Sequence, residues 1–143
     1  MAINQLSVFV ENRAGSLFEI TDILAEKSVD IRAISIADTQ DFGILRLIVS
    51  DVEKAKDALK DNERIVSVTK VVGVAISDEP GSMSKVIGIL DKNGINIEYM
   101  YAFITISKKY AYVVFRVEDN EKAEKILCEN GVKLVTEEDI TNI

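Results

Sequence analysis

The sequence contains no histidine and no tryptophan, and it has one cysteine and one proline among its 143 residues. The absence of histidine excludes Ser-His-Asp and Cys-His catalysis, and it excludes every metal site that needs an imidazole ligand. A single cysteine, Cys128, excludes an internal disulfide and is typical of a reducing compartment. We therefore expect a protein that is not an enzyme and that holds no metal and no cofactor.

Positive charge is scarce, and so are long apolar runs. There are 17 Lys and Arg against 24 Asp and Glu, which gives a net charge of −7, whereas nucleic-acid-binding proteins carry basic patches. No apolar run approaches the ~20 residues that span a bilayer, and residues 1–5 do not resemble a signal peptide. The sequence predicts a cytoplasmic protein that binds neither nucleic acid nor membrane.

What the sequence does have is an internal duplication. A shift of 66 residues places Gly15-Ser16-Leu17 on Gly81-Ser82-Met83, and Val29-Asp30-Ile31 on Ile95-Asn96-Ile97. Further along, the shift becomes 68, and the change falls between residues 37 and 44, where a hairpin turn tolerates an insertion. The apolar pattern continues through this change. We therefore predict two domains, residues 1–70 and residues 71–143.

Each copy has the periodicity of a β-α-β-β-α-β unit. Alternating apolar residues predict the first strand, and an apolar face with a spacing of 3.6 predicts the helix that follows. Ser16 and Glu19 have the spacing of a capping box. Second strands are expected from Asp30-Ile31 and from Asn96-Ile97, and Asp51 starts the second helix of the first copy.

The predicted fold class is α+β, with two ferredoxin-like βαββαβ units in tandem. Each unit has an antiparallel sheet with both helices on one face, and we expect the two sheets to join side by side. The other face of the first sheet would carry Phe9, Ile34 and Ile36, or the residues that alternate with them. Apolar residues there need a cover, which a homodimer would supply. Cys128 is expected on the inner side of the last predicted helix.

The turns resemble those of a known family. Asp78-Glu79-Pro80-Gly81-Ser82-Met83, followed by Gly94-Ile95-Asn96-Ile97, resembles the two signatures of the ACT domain. The first copy is a degenerate version, with Asn12-Arg13-Ala14-Gly15-Ser16-Leu17 and then Val29-Asp30-Ile31. The resemblance covers the whole chain as two tandem domains. It implies a regulatory protein that binds an amino acid at the interface between two ACT domains, and whose partner is a metabolic enzyme or a regulator.

The physics of a helix N-terminus supports a ligand at these turns. The first amides of a helix are unpaired and the helix dipole favours an anion, so a ligand carboxylate fits there. A nearby carboxylate or amide side chain would hold the ligand ammonium. The predicted ligand-binding residues are Asn12, Arg13, Ala14, Gly15, Ser16, Leu17, Asp30 and Ile31 in the first copy, and Asp78, Pro80, Gly81, Ser82, Met83, Asn96 and Ile97 in the second.

Each of these residues also has a purely structural interpretation. Gly15 and Gly81 would permit a tight turn, and Ser16 and Ser82 would cap helices. At the level of function, the alternative is a subunit that senses nothing and binds an amino-acid biosynthetic enzyme. An enzyme is disfavoured, because catalysis would depend on carboxylate, lysine or tyrosine chemistry alone.

Overall fold

The computed structural model describes residues 2–38, 40–104 and 110–143, whose elements follow the predicted order except that the two adjoining strands are one continuous strand and a helix follows the last strand. The elements of the first repeat are β1 (Ile3–Glu11), α1 (Ser16–Glu26), β2 (Ile31–Asp38), β3 (Phe42–Val49), α2 (Val52–Asp61) and the start of β4 (Val66–Ser77). The second repeat continues with α3 (Ser82–Lys92), β5 (Tyr99–Ala102), β6 (Tyr110–Arg116), α4 (Asn120–Glu129), β7 (Lys133–Val135) and α5 (Glu137–Asn142). The α+β class and the two βαββαβ repeats are confirmed.

The chain divides into two compact units. The first unit is Asn4–Thr69, and the second comprises Met1–Ile3 and Lys70–Ile143. Strand β4 is continuous over its 12 residues, where the sequence predicts two strands separated at Lys70. The domain limits 1–70 and 71–143 and the side-by-side joining of the sheets stay predictions. Within the described residues, no helix is long and apolar enough to cross a membrane.

In the first unit, the strands lie in the order β2-β3-β1, with the start of β4 next to β1. All described pairings are antiparallel. Helices α1 and α2 pack against one face of this sheet, where Leu6, Val8 and Val10 of β1 form a core with residues of both helices. The core of this unit includes Leu6, Val8, Val10, Ile20, Leu24, Leu45, Leu47, Ala55 and Leu59.

Of the residues expected on the uncovered face, Phe9 lies there, whereas in β2 the structure selects the residues that alternate with Ile34 and Ile36. Ile34 pairs with Leu47, and Ile36 pairs with Leu45. Paired residues point to the same face of a sheet, so both isoleucines face the helices. The uncovered face instead carries Phe9 together with exposed apolar side chains from β3 and from the entry to β4, namely Phe42, Ile44 and Ile65.

In the second unit, the order of the strands is β5-β6-β4-β7, again antiparallel. Strand β5 begins at Tyr99, later than the predicted start at Asn96-Ile97. Cys128 is exposed, so its predicted inward orientation is wrong. The core includes Val72, Val74, Ile76, Val86, Leu90, Val113, Phe115, Val117 and Leu127.

The four long helices end in the same way. After each, one residue takes a left-handed conformation and the next donates its N–H to the carbonyl five residues back, as in the Schellman motif. These donors are Val29, Arg64, Ile95 and Val132, at 2.9–3.0 Å. Gly94 holds the left-handed position after α3, a conformation that glycine adopts without the strain of a side chain.

Candidate functional site

The turn between β1 and α1 is tied to the β2–β3 hairpin of the first unit. The backbone N–H of Asn12 donates to the Asp41 carbonyl at 2.9 Å, and its side-chain Nδ2 donates to the Gln40 carbonyl at 3.2 Å. Asn12 thereby holds the turn against the hairpin, and its Oδ1 is left as the group that can face a ligand. Ala14 is exposed.

Both helices that follow these turns begin at a glycine. Gly15 and Gly81 occupy the N-cap positions of α1 and α3 with φ of 90° and 87°. A Cβ at either position would meet nothing within 4 Å, so the left-handed backbone is what requires glycine there. Over residues 2–38, 40–104 and 110–143, neither N-terminus has a side-chain cap. The predicted capping by Ser16, with its Glu19 box, and by Ser82 is therefore wrong.

Ser16 has a different environment from that of a capping residue. Its side chain is buried, with 2% exposure, and its Oγ has no hydrogen-bond partner among the described residues. The first i→i−4 bond of α1 runs from Glu19 N–H to the Gly15 carbonyl at 3.0 Å, so the amides of Leu17 and Phe18 precede it. An unsatisfied buried hydroxyl costs about 1–3 kcal/mol, and a ligand atom would relieve that cost.

A small cavity opens beside this helix start. Its volume is about 140 Å³, the space of four or five water molecules at about 30 Å³ each. Its apolar wall includes Leu17 and Ile36, which are 39% and 50% exposed. The lining residues are Val10, Glu11, Asn12, Arg13, Ser16, Leu17, Ile36 and Gly43. Four residues of the predicted site thus line one cavity.

A chain of charges runs along the same turn. The Arg13 guanidinium lies 3.0 Å from the Glu11 carboxylate and 3.3 Å from that of Glu19, and Arg64 lies 2.7 Å from Glu19. Hydrogen bonds from Arg64 and Arg13 lower the pKa of Glu19. The hydrogen bond to Glu11, and to a smaller extent the hydrogen bond to Glu19, raise the pKa of Arg13. Sequence reasoning missed Arg64, because the matching residue of the second copy is Val132 and the repeat gives no signal there.

The corresponding turn of the second unit is built differently. The Ser82 Oγ lies 2.7 Å from the Ser77 Oγ, so this hydroxyl has the partner that Ser16 lacks. Asp78 and Pro80 are exposed, and Met83 packs against the core. The two turns share a backbone path and differ in the polar group that they offer to a ligand.

The remaining predicted residues lie at the other end of the helices. Asp30 pairs with Arg32 at 2.8 Å, and Ile31 and Ile97 pack against the two cores. Asn96 is exposed at the rim of a cleft of about 820 Å³. Since α1 and α3 have 11 residues each, about 16 Å of helix separates these residues from the turns. Within one unit, the structure does not bring the two predicted groups together.

Comparisons with known proteins give one family and several similar structures. A family model described as an ACT domain pair matches residues 1–143. A protein of Bacteroides thetaiotaomicron is 42% identical and superposes with a TM-score of 0.92, over 100% of this chain and 98% of that chain. No curated protein matched the chain.

Two structures related to aspartate kinase show a likeness of fold alone. The ligand-free regulatory subunit from Thermus thermophilus is 17% identical, with a TM-score of 0.64 over 90% of this chain and 91% of that chain. Aspartate kinase from Synechocystis is 24% identical, with a TM-score of 0.60 over 94% of this chain and 26% of that chain.

Proposed function

The chain belongs to the family of ACT domain pairs, and we propose on that basis that it is a regulatory protein that binds an amino acid. The family match extends over the whole chain and confirms the resemblance seen in the turn motifs. The coarse function is that of a regulatory domain pair. We further propose which ligand binds, where it binds, and which surface a protein partner would contact to detect the bound ligand.

The observation that carries the proposal is the Ser16 hydroxyl, which has no hydrogen-bond partner in the described part of the chain. It is buried at the N-terminus of α1, and Ser16 lines the cavity of about 140 Å³. A ligand carboxylate would accept a hydrogen bond from Ser16 Oγ and would lie near the unpaired amides of the first helical turn. Glu11 and Asn12 also line the cavity, and their oxygens are suitable acceptors for the ligand ammonium.

The size of the cavity limits what can be enclosed. The carboxylate, the α-carbon and the nitrogen of an amino acid are five non-hydrogen atoms, which matches the space of four or five waters. The ligand's own side chain would then extend past Leu17 and Ile36, both partly exposed. This wall favours an amino acid with an apolar side chain over one with a charged side chain, because a charge would lose hydration there.

Regulation requires that the ligand binds one state of the protein more tightly than another. The turn that would hold the ligand is joined by hydrogen bonds to the hairpin at Gln40 and Asp41. Ordering of the turn by ligand would therefore stabilise the hairpin as well. A partner enzyme or regulator that contacts this hairpin would read the bound state.

Thermal unfolding and titration calorimetry with the twenty amino acids test the proposal. Ligand at 100 times its dissociation constant should stabilise the protein by about 2.7 kcal/mol, and Ser16→Ala should weaken binding about tenfold or more. Ser84→Ala is the matched control, because Ser84 is exposed on α3. If no amino acid binds at millimolar concentration, a subunit that senses nothing becomes the better interpretation.

A further inference from the structure

The second unit contains a cavity at a place where the first unit holds an ion pair. The cavity has a volume of about 230 Å³ and lies between α3, the end of β4 and the residues that lead into β7. Lys85 on α3 and Lys133 at the start of β7 both line it. Ser82, which also lines the cavity, belongs to the predicted amino-acid site of the second copy, whereas the two lysines do not.

The internal duplication explains the origin of this space. A shift of 66 places Glu19 on Lys85, and a shift of 68 places Arg64 on Val132. In the first unit, Arg64 reaches Glu19 at 2.7 Å. In the second unit, the arginine is replaced by a shorter apolar residue and the acid by a base. The internal pair is lost, its space opens, and a positive charge remains there.

The chemistry of the lining favours an anion with an apolar middle. No aspartate or glutamate is among the described lining residues, whereas two lysines are. The Ser77 and Ser82 hydroxyls, 2.7 Å apart, add hydrogen-bonding groups, and Ile76 and Val132 contribute apolar wall to the same cavity. Lys133 Nζ lies 5.0 Å from the centroid of the Tyr110 ring, a cation–π contact that restricts where the ammonium can lie.

We propose that this cavity binds a small dicarboxylate, with one carboxylate at Lys85 and the other at Lys133. The volume corresponds to seven or eight water molecules at about 30 Å³ each, and a four-carbon dicarboxylate has eight non-hydrogen atoms. Inorganic phosphate would leave the apolar wall without contacts. The inference does not depend on the proposed amino-acid site, which lies in the other unit.

Titration calorimetry of the whole chain with succinate tests this assignment. We expect saturable binding that weakens about tenfold in Lys85→Gln and in Lys133→Gln, because each variant loses a charge-assisted hydrogen bond. Lys92→Gln is the control: it removes one positive charge from the same helix at an exposed position outside the cavity. Ser16→Ala should leave succinate binding unchanged.

A double variant uses the first unit as its template. Lys85→Glu with Val132→Arg would rebuild the Glu19–Arg64 pair in the second unit, fill the cavity and abolish succinate binding, while unfolding stays cooperative. The proposal is overturned if wild type does not bind succinate at millimolar concentration, or if the two lysine variants bind as wild type does. Equal affinity for phosphate or for butyrate would overturn the assignment to a dicarboxylate.

Discussion

Arg64 donates a hydrogen bond of 2.7 Å from Nη2 to Oε2 of Glu19, and this bond joins the segment between α2 and β4 to the first turn of α1. Arg64 thereby fixes the same helix start that presents Ser16 to the small cavity. Arg13 approaches the same carboxylate at 3.3 Å. Glu19 is the shared acceptor that connects the ligand turn with the segment leading into β4.

The free energy of unfolding should depend on pH in a way that reflects the protonation of the Glu19 carboxylate. The folded-state pKa of Glu19 lies below 4.5, its ordinary value, because Arg64 and then Arg13 donate hydrogen bonds to it. Its stabilising contribution is therefore complete above pH 4.5 and is lost as the pH falls through the folded-state pKa. We expect Glu19→Gln to be less stable than wild type at neutral pH, and we expect this difference to shrink on acidification.

Urea unfolding across the acid range measures that difference. Glu53→Gln is the control, because Glu53 pairs with Lys56 on the surface, where ion pairs contribute little. A constant difference between Glu19→Gln and wild type from neutral pH to the acid limit would contradict the role assigned to Glu19.

Ser16→Ala should separate ligand binding from folding. The variant removes a buried hydroxyl that has no partner among the described residues, so the free protein should be as stable as wild type or more stable by about 1 kcal/mol. The same variant should lose the stabilisation by ligand. Thermal unfolding with and without the amino acid that binds wild type measures both effects. Destabilisation of the free protein would show that Ser16 has a structural partner.

The order of the elements from β1 to β7 could be predicted from the sequence, apart from the continuity of β4, because the duplication showed these strands and helices twice. The face of the sheet that each β2 residue occupies could not be predicted from the sequence. Ile34 and Ile36 lie in a strand with apolar or small residues on both faces, so alternation alone did not set the phase. The pairing of Ile34 with Leu47 decides it. Helix α5 was also missed, although Thr136 and Asp139 form its capping box.

At the candidate site, the turns were predictable and their polar groups were not. A serine before a helical pattern with glutamate three residues later has the signature of a capping box. Here Gly15 takes the N-cap position, because its left-handed conformation starts the helix one residue earlier. Because the helix starts one residue earlier, the Ser16 hydroxyl is buried, and the Glu19 side chain accepts a hydrogen bond from Arg64 instead of capping the helix. The role of Glu19 therefore depends on Arg64, 45 positions away in the sequence, and a local sequence pattern cannot reveal that contact.

The N-caps of the second helices should contribute more than the serines that follow the turns. Asp51 accepts from Lys54 N–H and Asp119 from Lys122 N–H, each at 3.1 Å, whereas Ser82 caps nothing. We expect Asp51→Ala and Asp119→Ala to destabilise by about 1 kcal/mol each, and Ser82→Ala by less. Urea unfolding of the three variants measures this order. An equal loss in all three would contradict it.

Glycine substitutions at the ends of α1 and α2 should stabilise the protein, because the matching positions of the second unit already hold glycine. Ser28 and Glu63 take left-handed conformations, with φ of 56° and 61°, at the positions that Gly94 and Gly131 occupy in the second unit. A non-glycine residue is strained in that conformation, although glycine costs more entropy on folding. The first effect is the larger, so Ser28→Gly and Glu63→Gly should each stabilise by about 0.5–1 kcal/mol.

The reverse substitutions, Gly94→Ser and Gly131→Glu, should destabilise by a similar amount, and thermal unfolding of all four variants checks the symmetry. Space does not limit the reverse pair, because a Cβ at Gly94 or Gly131 would meet nothing within 4 Å. Any loss therefore reports the backbone conformation alone. If the two forward variants lower stability, the left-handed position is not the source of strain in the first unit, and some contact of the Ser28 or Glu63 side chain outweighs it.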